Sequence, residues 1–178
     1  EPFSNPFRPG AGHRPPYLAG RREEINEFKK LLGQSVVTDN LVLTGLRGVG
    51  KTVLLEELKP VAMADGWLWV GTDLSESASI SEANLATRIL TDLSIVTGTM
   101  KVWTQTKPGI GFAADSTMED VTLGYNSLIK LYEQTPGLIV DKLKAVLALI
   151  APIVKASGKK GIIFAYDEAQ NLSDHAAK

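Results

Sequence analysis

Hydrophobic and polar residues follow two periods along the chain, and these periods predict its secondary structure. In residues 22–32, apolar side chains recur at helical spacing between charged ones and Gly33 follows, so a surface helix is predicted. Residues 41–45 (LVLTG) form an apolar run that meets a glycine-rich turn, which is typical of a buried parallel strand. A helix is predicted after this turn, with four apolar side chains facing inward: Val53, Leu54, Leu55 and Leu58.

The middle of the chain continues the alternation of strand and helix. Residues 66–74 (GWLWVGTDL) predict a second strand. Ser79 and Glu82 form a capping box, which predicts a helix that runs to about Val96. Between residues 97 and 120 the helical period is lost, and the segment KVWTQTKPGIGFAAD offers two extended pieces around a Pro-Gly turn. We interpret it as a β-hairpin insertion.

Two helices and a last strand complete the pattern. The helices are predicted from Glu119 to about Gln134 and from Thr135 to near Gly158, and Pro152 is expected to bend or shorten the second one. From Gly161, the run GIIFAYDEAQ is apolar until two carboxylates, which predicts a buried strand with charge at its tip. The alternation predicts an α/β fold with a mostly parallel sheet between helices.

Composition and charge narrow the class of protein. The 178 residues are 44% hydrophobic and 22% charged, which predicts a globular domain, and residues 1–16 carry five prolines and predict an extended arm before a domain at 17–178. The net charge of −1 argues against an extended basic face for nucleic acid. The longest strongly apolar stretch, residues 145–154, is about half of the ~20 residues that span a membrane. The absence of cysteine suits a reducing compartment, so we expect the cytoplasm.

The clearest chemical signal is the segment GLRGVGKT at residues 45–52. It matches the phosphate-loop pattern G-x-x-x-x-G-K-[ST] between a predicted strand and a predicted helix. Its glycines permit a tight turn whose N–H groups point at phosphate oxygens, Lys51 is expected to reach the β- and γ-phosphates, and the Thr52 hydroxyl is expected to ligate Mg²⁺. The predicted site for ATP, or with less support GTP, comprises Gly45, Gly48, Val49, Gly50, Lys51, Thr52 and Val53.

Asp167 and Glu168 form a second candidate cluster. They follow the last apolar run, at the strand end where open α/β sheets hold their ligands. An aspartate in this place can hold Mg²⁺ through water, and the adjacent glutamate can orient and polarise the attacking water. We therefore predict Glu168 and Lys51 as catalytic residues, and Thr52 and Asp167 as metal ligands.

The phosphate loop, the strand that ends in DE and the upstream segment YLAGRREEI together resemble AAA+ ATPases. That segment, residues 17–25, is similar to the box that precedes the phosphate loop in origin-recognition-type and STAND-like ATPases. The resemblance implies a P-loop NTPase fold, and a chain cut before the sensor strand, arginine finger and lid of the family, so that it hydrolyses ATP slowly alone. Residues 97–138 depart from the family core. The base-pocket residues implied by the resemblance are Pro16, Tyr17, Leu18, Gly20 and Arg21, and Gln170 is a candidate γ-phosphate sensor.

Several functions stay open after these observations. An ATPase that forms a homo-oligomer and remodels a protein partner is the first, and a regulatory switch with slow turnover between ATP and ADP states is the second. A DNA-loading ATPase lacks support from the neutral charge balance. A small-molecule kinase fits less well, since the acidic pair suits water activation, and no N-K-x-D segment for a GTPase occurs.

Overall fold

The structure is a computed structural model that describes residues 20–37, 39–71, 74, 81–105 and 118–169. In these ranges the chain is a mixture of helices and short strands. The helices are α1 (Arg22–Leu32), α2 (Lys51–Ala64), α3 (Glu82–Thr97), α4 (Tyr125–Gln134) and α5 (Ile139–Ala156), and the strands are β1 (Trp67–Val70), β2 (Lys101–Gln105), β3 (Met118–Thr122) and β4 (Gly161–Phe164). The chain divides into two compact units, the first ending at Trp67 and the second beginning at Leu68.

In the first unit, α1 packs against α2 through apolar side chains. Phe28 and Leu32 are buried on α1, and Leu54 and Leu58 are buried on α2. A spacing of four residues places each pair on one face of its helix, so the two faces can meet. The helix predicted over residues 22–32 is confirmed at both ends, because Gly33 follows it as the C-cap.

The strand predicted over residues 41–45 is wrong. Residues 39–46 have no regular secondary structure, and Leu41 and Val42 are 41% and 74% exposed. A strand is defined by hydrogen bonds to a neighbouring strand, and no strand in the described ranges pairs with this segment. The apolar run predicted that this segment is buried. Apolar side chains alone do not make a strand, which also needs a neighbouring strand for its hydrogen bonds.

In the second unit, three helices and a small sheet enclose one hydrophobic core. Helices α3, α4 and α5 contact one another, and β1 and β4 form a two-stranded parallel sheet against α5. The core is aliphatic, and its fully buried members include Leu90, Leu93, Leu128, Val146, Ile150 and Val154. This pair of strands bears out the parallel α/β prediction in its coarse form.

The hairpin prediction is borne out in part: β2 and β3 pair antiparallel, and β2 is the first extended piece that was predicted, but β3 lies after residues 101–115, within which both pieces were expected. Lys101 lies opposite Thr122, and Gln105 lies opposite Met118. Residues 106–117, where the turn was predicted, lie outside the described residues. The helix predicted from Glu119 is wrong at its start, because residues 118–122 pair with β2 and α4 begins only at Tyr125. Val121 and Thr122 are β-branched residues, which favour a strand.

Two more helix boundaries differ from their predictions. Helix α3 is capped by Ser81, whose Oγ accepts a hydrogen bond of 3.2 Å from the Asn84 N–H, whereas Ser79 lies outside the described residues. Helix α5 begins at Ile139 and continues through Pro152 to Ala156, so this proline does not shorten it. The predicted arm, residues 1–16, also lies outside the described residues. Of the helices in the described ranges, none combines the length and apolar character needed to cross a bilayer.

Candidate functional site

The predicted phosphate loop has a backbone that requires glycine. Gly45, Gly48 and Gly50 have φ values of 152°, 84° and 85°, and Gly50 is the N-cap of α2. A Cβ added at Gly48 or Gly50 would meet nothing within 4 Å, whereas one at Gly45 would lie 3.1 Å from Val49 Cγ2. The requirement at Gly48 and Gly50 is therefore conformational, since side chains disfavour left-handed backbone.

Lys51 lies across the loop that precedes it. Its Nζ donates hydrogen bonds to the carbonyl oxygens of Gly45 at 2.9 Å and Leu46 at 3.0 Å. The residue is also the first of α2, whose N-terminus carries partial positive charge and whose first turn contains no acidic residue. An ammonium group and a helix N-terminus thus converge on a glycine-rich turn, which is an arrangement that attracts anions.

The other two predicted residues of the loop lie in the first turn of α2. Thr52 is exposed and Val53 is half-buried. No group of three or more histidine, cysteine or acidic side chains that could hold a metal ion occurs in the described ranges. Mg²⁺ at a nucleotide site is held largely by phosphate oxygens and waters, with few protein ligands. Thr52, an exposed hydroxyl-bearing residue in the first turn after the loop, is of the residue type that this coordination requires.

Arg21 contacts the phosphate loop, a contact that the sequence did not predict. Its Nη2 donates to the Val49 carbonyl oxygen at 2.6 Å, and its Nη1 donates to Glu24 Oε1 at 2.7 Å. This hydrogen bond from Arg21 lowers the pKa of Glu24 below its ordinary value of 4.5. The resemblance implied that Arg21 lies beside adenine, and Gly20, also expected there, is exposed with a φ of 76°. Outside the described residues lie Pro16, Tyr17, Leu18 and Gln170.

The predicted acidic pair belongs to the second unit, after β4. Asp167 is half-buried, its carbonyl oxygen accepts from the Leu74 N–H at 3.1 Å, and its Oδ1 accepts from the Glu168 N–H at 2.9 Å. Glu168 is exposed and has a φ of 55°, the one positive value at a non-glycine residue among those described. Such backbone stores strain, and strain of this kind clusters at functional sites.

A polar cluster beside the acidic pair was missed by the sequence analysis. On α3, Arg88 Nε donates to Asp92 Oδ2 at 3.1 Å, although Asp92 is only 8% exposed. The Tyr166 hydroxyl is buried without a well-formed hydrogen bond in the described ranges. Burial, and secondly the nearby Asp92 carboxylate, raise the pKa of Tyr166. The i,i+4 spacing of Arg88 and Asp92 was a signal for the pair.

Comparisons with models of protein families, with curated proteins and with solved structures find no match to this chain. The likeness of its motifs to those of AAA+ ATPases stays a prediction. Two separate candidate clusters result: the glycine-rich loop with Arg21 and Lys51 lies in the first unit, and the acidic pair with Tyr166 lies in the second.

Proposed function

We propose that the chain is the nucleotide-binding domain of an AAA+ or STAND-like P-loop ATPase, which binds ATP with Mg²⁺ and hydrolyses it to change conformation or remodel a partner. The observation that carries the proposal is the phosphate loop, where three glycines of positive φ lead into α2 and the Lys51 ammonium rests on loop carbonyls. Such loops bind phosphate chains through backbone N–H groups and a lysine. A small-molecule kinase uses the same loop and is the alternative enzyme.

Each residue of the loop has a role in this proposal. Lys51 would bind phosphate oxygens of the nucleotide, and the Thr52 hydroxyl would ligate Mg²⁺. A bound nucleotide would supply the β–γ phosphoanhydride bond, and Mg²⁺ held by Thr52 would supply positive charge beside its phosphate oxygens. The roles of Asp167 as a metal ligand and Glu168 as the group that activates water rest on the sequence alone.

Binding of fluorescent ATP and GTP analogues, with and without Mg²⁺, tests the proposal. Replacement of a charged hydrogen-bonding group costs roughly 1.5–3 kcal/mol, so Lys51→Ala should weaken ATP binding by about 10- to 100-fold. Lys59→Ala is the matched control, because Lys59 is an exposed lysine on the same helix. Equal affinities for Lys51→Ala and the unmutated chain, or no binding by either, would refute a phosphate site at this loop.

Hydrolysis is tested separately through Glu168. We expect Glu168→Gln to keep ATP affinity and to lose turnover, since the amide cannot accept the proton of the attacking water. Turnover by the unmutated chain that rises with protein concentration would indicate an oligomeric motor. Unchanged turnover in Glu168→Gln would remove this residue from the mechanism.

A nucleotide-dependent switch is the second candidate, favoured by contacts within the second unit. Tyr166 precedes the acidic pair and neighbours Asp92 on α3. Five residues further along α3, at its last residue, the buried Thr97 hydroxyl donates to the Leu123 carbonyl oxygen at 2.8 Å, and the Leu123 N–H donates to the Met100 carbonyl oxygen at 3.1 Å. These contacts connect the segment of the acids to the base of the β2–β3 pair.

Hydrogen exchange of β2 and β3 with ATP and with ADP tests the switch. We expect a difference between the two nucleotides that shrinks in Thr97→Val, a variant that lacks the hydroxyl and keeps the branched shape. Nucleotide affinity should stay unchanged in this variant. The same exchange pattern with both nucleotides would rule out a switch that acts through this pair of strands.

A further inference from the structure

The contact between Arg21 and the phosphate loop is held in place by helix α1 and by Glu24. Arg21 is the N-cap residue of α1, and α1 is fixed on α2 by the buried Phe28 and Leu32. Its guanidinium is a planar fork, with one nitrogen on Glu24 and another on the Val49 carbonyl oxygen. The carboxylate thus sets the direction of the guanidinium, and the guanidinium in turn contacts the last peptide before α2.

The planar peptide bond transmits this contact to an N–H group. In a trans peptide the C=O and the following N–H point in opposite directions, and the described residues contain no cis peptide bond. By holding the Val49 carbonyl oxygen, Arg21 fixes the direction of the Gly50 N–H. Lys51 does the same at Gly45 and Leu46, whose carbonyl oxygens it holds, for the N–H groups of the next residue in each case.

The peptide between Val49 and Gly50 needs an external restraint because glycine allows it to rotate. Gly50 has a φ of 85° and no Cβ to restrict rotation, and a Cβ there would have met nothing within 4 Å. On its Gly50 side, the peptide between Val49 and Gly50 therefore lacks the steric restraint that a Cβ would provide. The hydrogen bond from Arg21 supplies a restraint from outside the loop.

We propose that Arg21 is a positioning residue of the phosphate loop, which presents the Gly50 N–H to the polyphosphate chain of a nucleotide and does not read the base. Glu24 holds Arg21 in this orientation. The inference rests on the proposed nucleotide-binding function and deepens it, because it assigns Arg21 to the phosphates that ATP and GTP share. It differs from the role beside adenine that the motif resemblance implied.

The ligand series ATP, GTP, AMP and inorganic tripolyphosphate, each with Mg²⁺, separates the two roles of Arg21. In Arg21→Ala we expect the affinities for ATP, GTP and tripolyphosphate to fall by one common factor, about 10-fold, because each uses the same loop. The ratio of ATP to GTP affinity should stay as in the unmutated chain. A changed ratio, or a loss for AMP with tripolyphosphate unaffected, would overturn the inference in favour of a base contact.

Matched variants exclude a general effect on folding. Arg22→Ala removes the neighbouring exposed arginine and should leave all affinities unchanged. Arg21→Lys should recover part of the loss for tripolyphosphate, since an ammonium can still donate to the Val49 carbonyl oxygen. If Arg21→Ala does not fold, Glu24→Gln, which keeps the arginine and removes its charged partner, should show a smaller loss with the same ligand pattern. No loss in Glu24→Gln would then overturn the inference.

Lys51→Ala distinguishes failure of this inference from failure of the proposed function. Tripolyphosphate binding that falls in Lys51→Ala and stays unchanged in Arg21→Ala would refute the positioning role and leave the phosphate site in place. An unmutated chain that binds neither ATP nor tripolyphosphate would overturn both.

Discussion

Glu168 occupies left-handed backbone, and this conformation has a measurable cost. At a φ of 55°, a residue with a Cβ is less stable than glycine by roughly 1–2 kcal/mol. Where alanine can adopt the native backbone conformation, replacing glycine by alanine stabilises a protein by roughly 0.4–1 kcal/mol, because it lowers the entropy of the unfolded chain. At this position we expect the order to reverse, with Glu168→Gly more stable than Glu168→Ala by about 1 kcal/mol in urea unfolding. Because both variants lack the carboxylate, the difference between their free energies of unfolding reports the backbone conformation alone. A more stable alanine variant would show that the backbone at residue 168 is not strained.

Tyr166 makes the free energy of unfolding depend on pH in the alkaline range. Burial and the Asp92 carboxylate raise its pKa above the ordinary value of 10.0, so the folded chain keeps the phenolic proton at a pH where the unfolded chain has lost it. This contribution to the free energy of unfolding is fully present below pH 10.0 and declines as pH rises from there towards the pKa of the folded state.

We therefore expect Tyr166→Phe to reduce the loss of stability above pH 10.0. The measurement is urea unfolding of the variant and the unmutated chain from neutral pH to about pH 11, which is above the reference value for tyrosine. Tyr125→Phe serves as the control, because Tyr125 is 42% exposed. Parallel stability curves for Tyr166→Phe and the unmutated chain would show that this hydroxyl does not contribute.

Strand β1 leaves the parallel sheet through a glycine that has no room for a side chain. The Ala165 N–H donates to the Val70 carbonyl oxygen at 2.8 Å, and a Cβ on Gly71 would overlap the Ala165 carbonyl oxygen. Gly71→Ala should therefore destabilise the chain by about 3 kcal/mol or more, since backbone must move to admit the methyl group. Gly124→Ala, at a φ of −77° with nothing within 4 Å, should change stability by less than about 0.5 kcal/mol in the same urea titration. Similar losses in both variants would contradict this contact.

Elements with local signals at both ends were predictable from the sequence. Helix α1 has a clear apolar period and Gly33 after it, and both of its bounds were correct. The start of α4 depends on the pairing of β3 with β2, and the segment at residues 41–45 depends on whether a strand lies beside it. Such pairing joins residues that are distant in sequence, so a local sequence pattern does not predict it.

The same distinction applies to the candidate site. The glycines of the phosphate loop were predictable, because their positive φ values are a local requirement of the turn. The contact of Arg21 with Val49 spans 28 residues, and that of Asp92 with Tyr166 joins α3 to the end of β4. Contacts of this range are set by how the helices pack. A local pattern therefore predicts glycine where the loop has positive φ, and it does not reveal that Arg21 contacts Val49 or that Tyr166 neighbours Asp92.

At the scale of the whole molecule, the division into two compact units has a consequence for ligand binding. A ligand at 100 times its dissociation constant stabilises the state that binds it by about 2.7 kcal/mol. With tripolyphosphate at this level, we expect slower hydrogen exchange in α1 and α2 of the first unit and unchanged exchange in α3 and α5 of the second. Hydrogen exchange measured by mass spectrometry tests this expectation, with Lys51→Ala as the control. Equal protection of all four helices would show that the two units open together.

The two hydrogen bonds of Lys51 also affect the entropy of ligand capture. A lysine side chain loses up to about 2 kcal/mol of rotamer freedom when it is fixed in one orientation. Because Gly45 and Leu46 already hold the Nζ atom, most of this freedom is lost when the chain folds. An incoming anion then meets a side chain that is already ordered, so the contribution of Lys51 to binding should appear in calorimetry mainly as enthalpy.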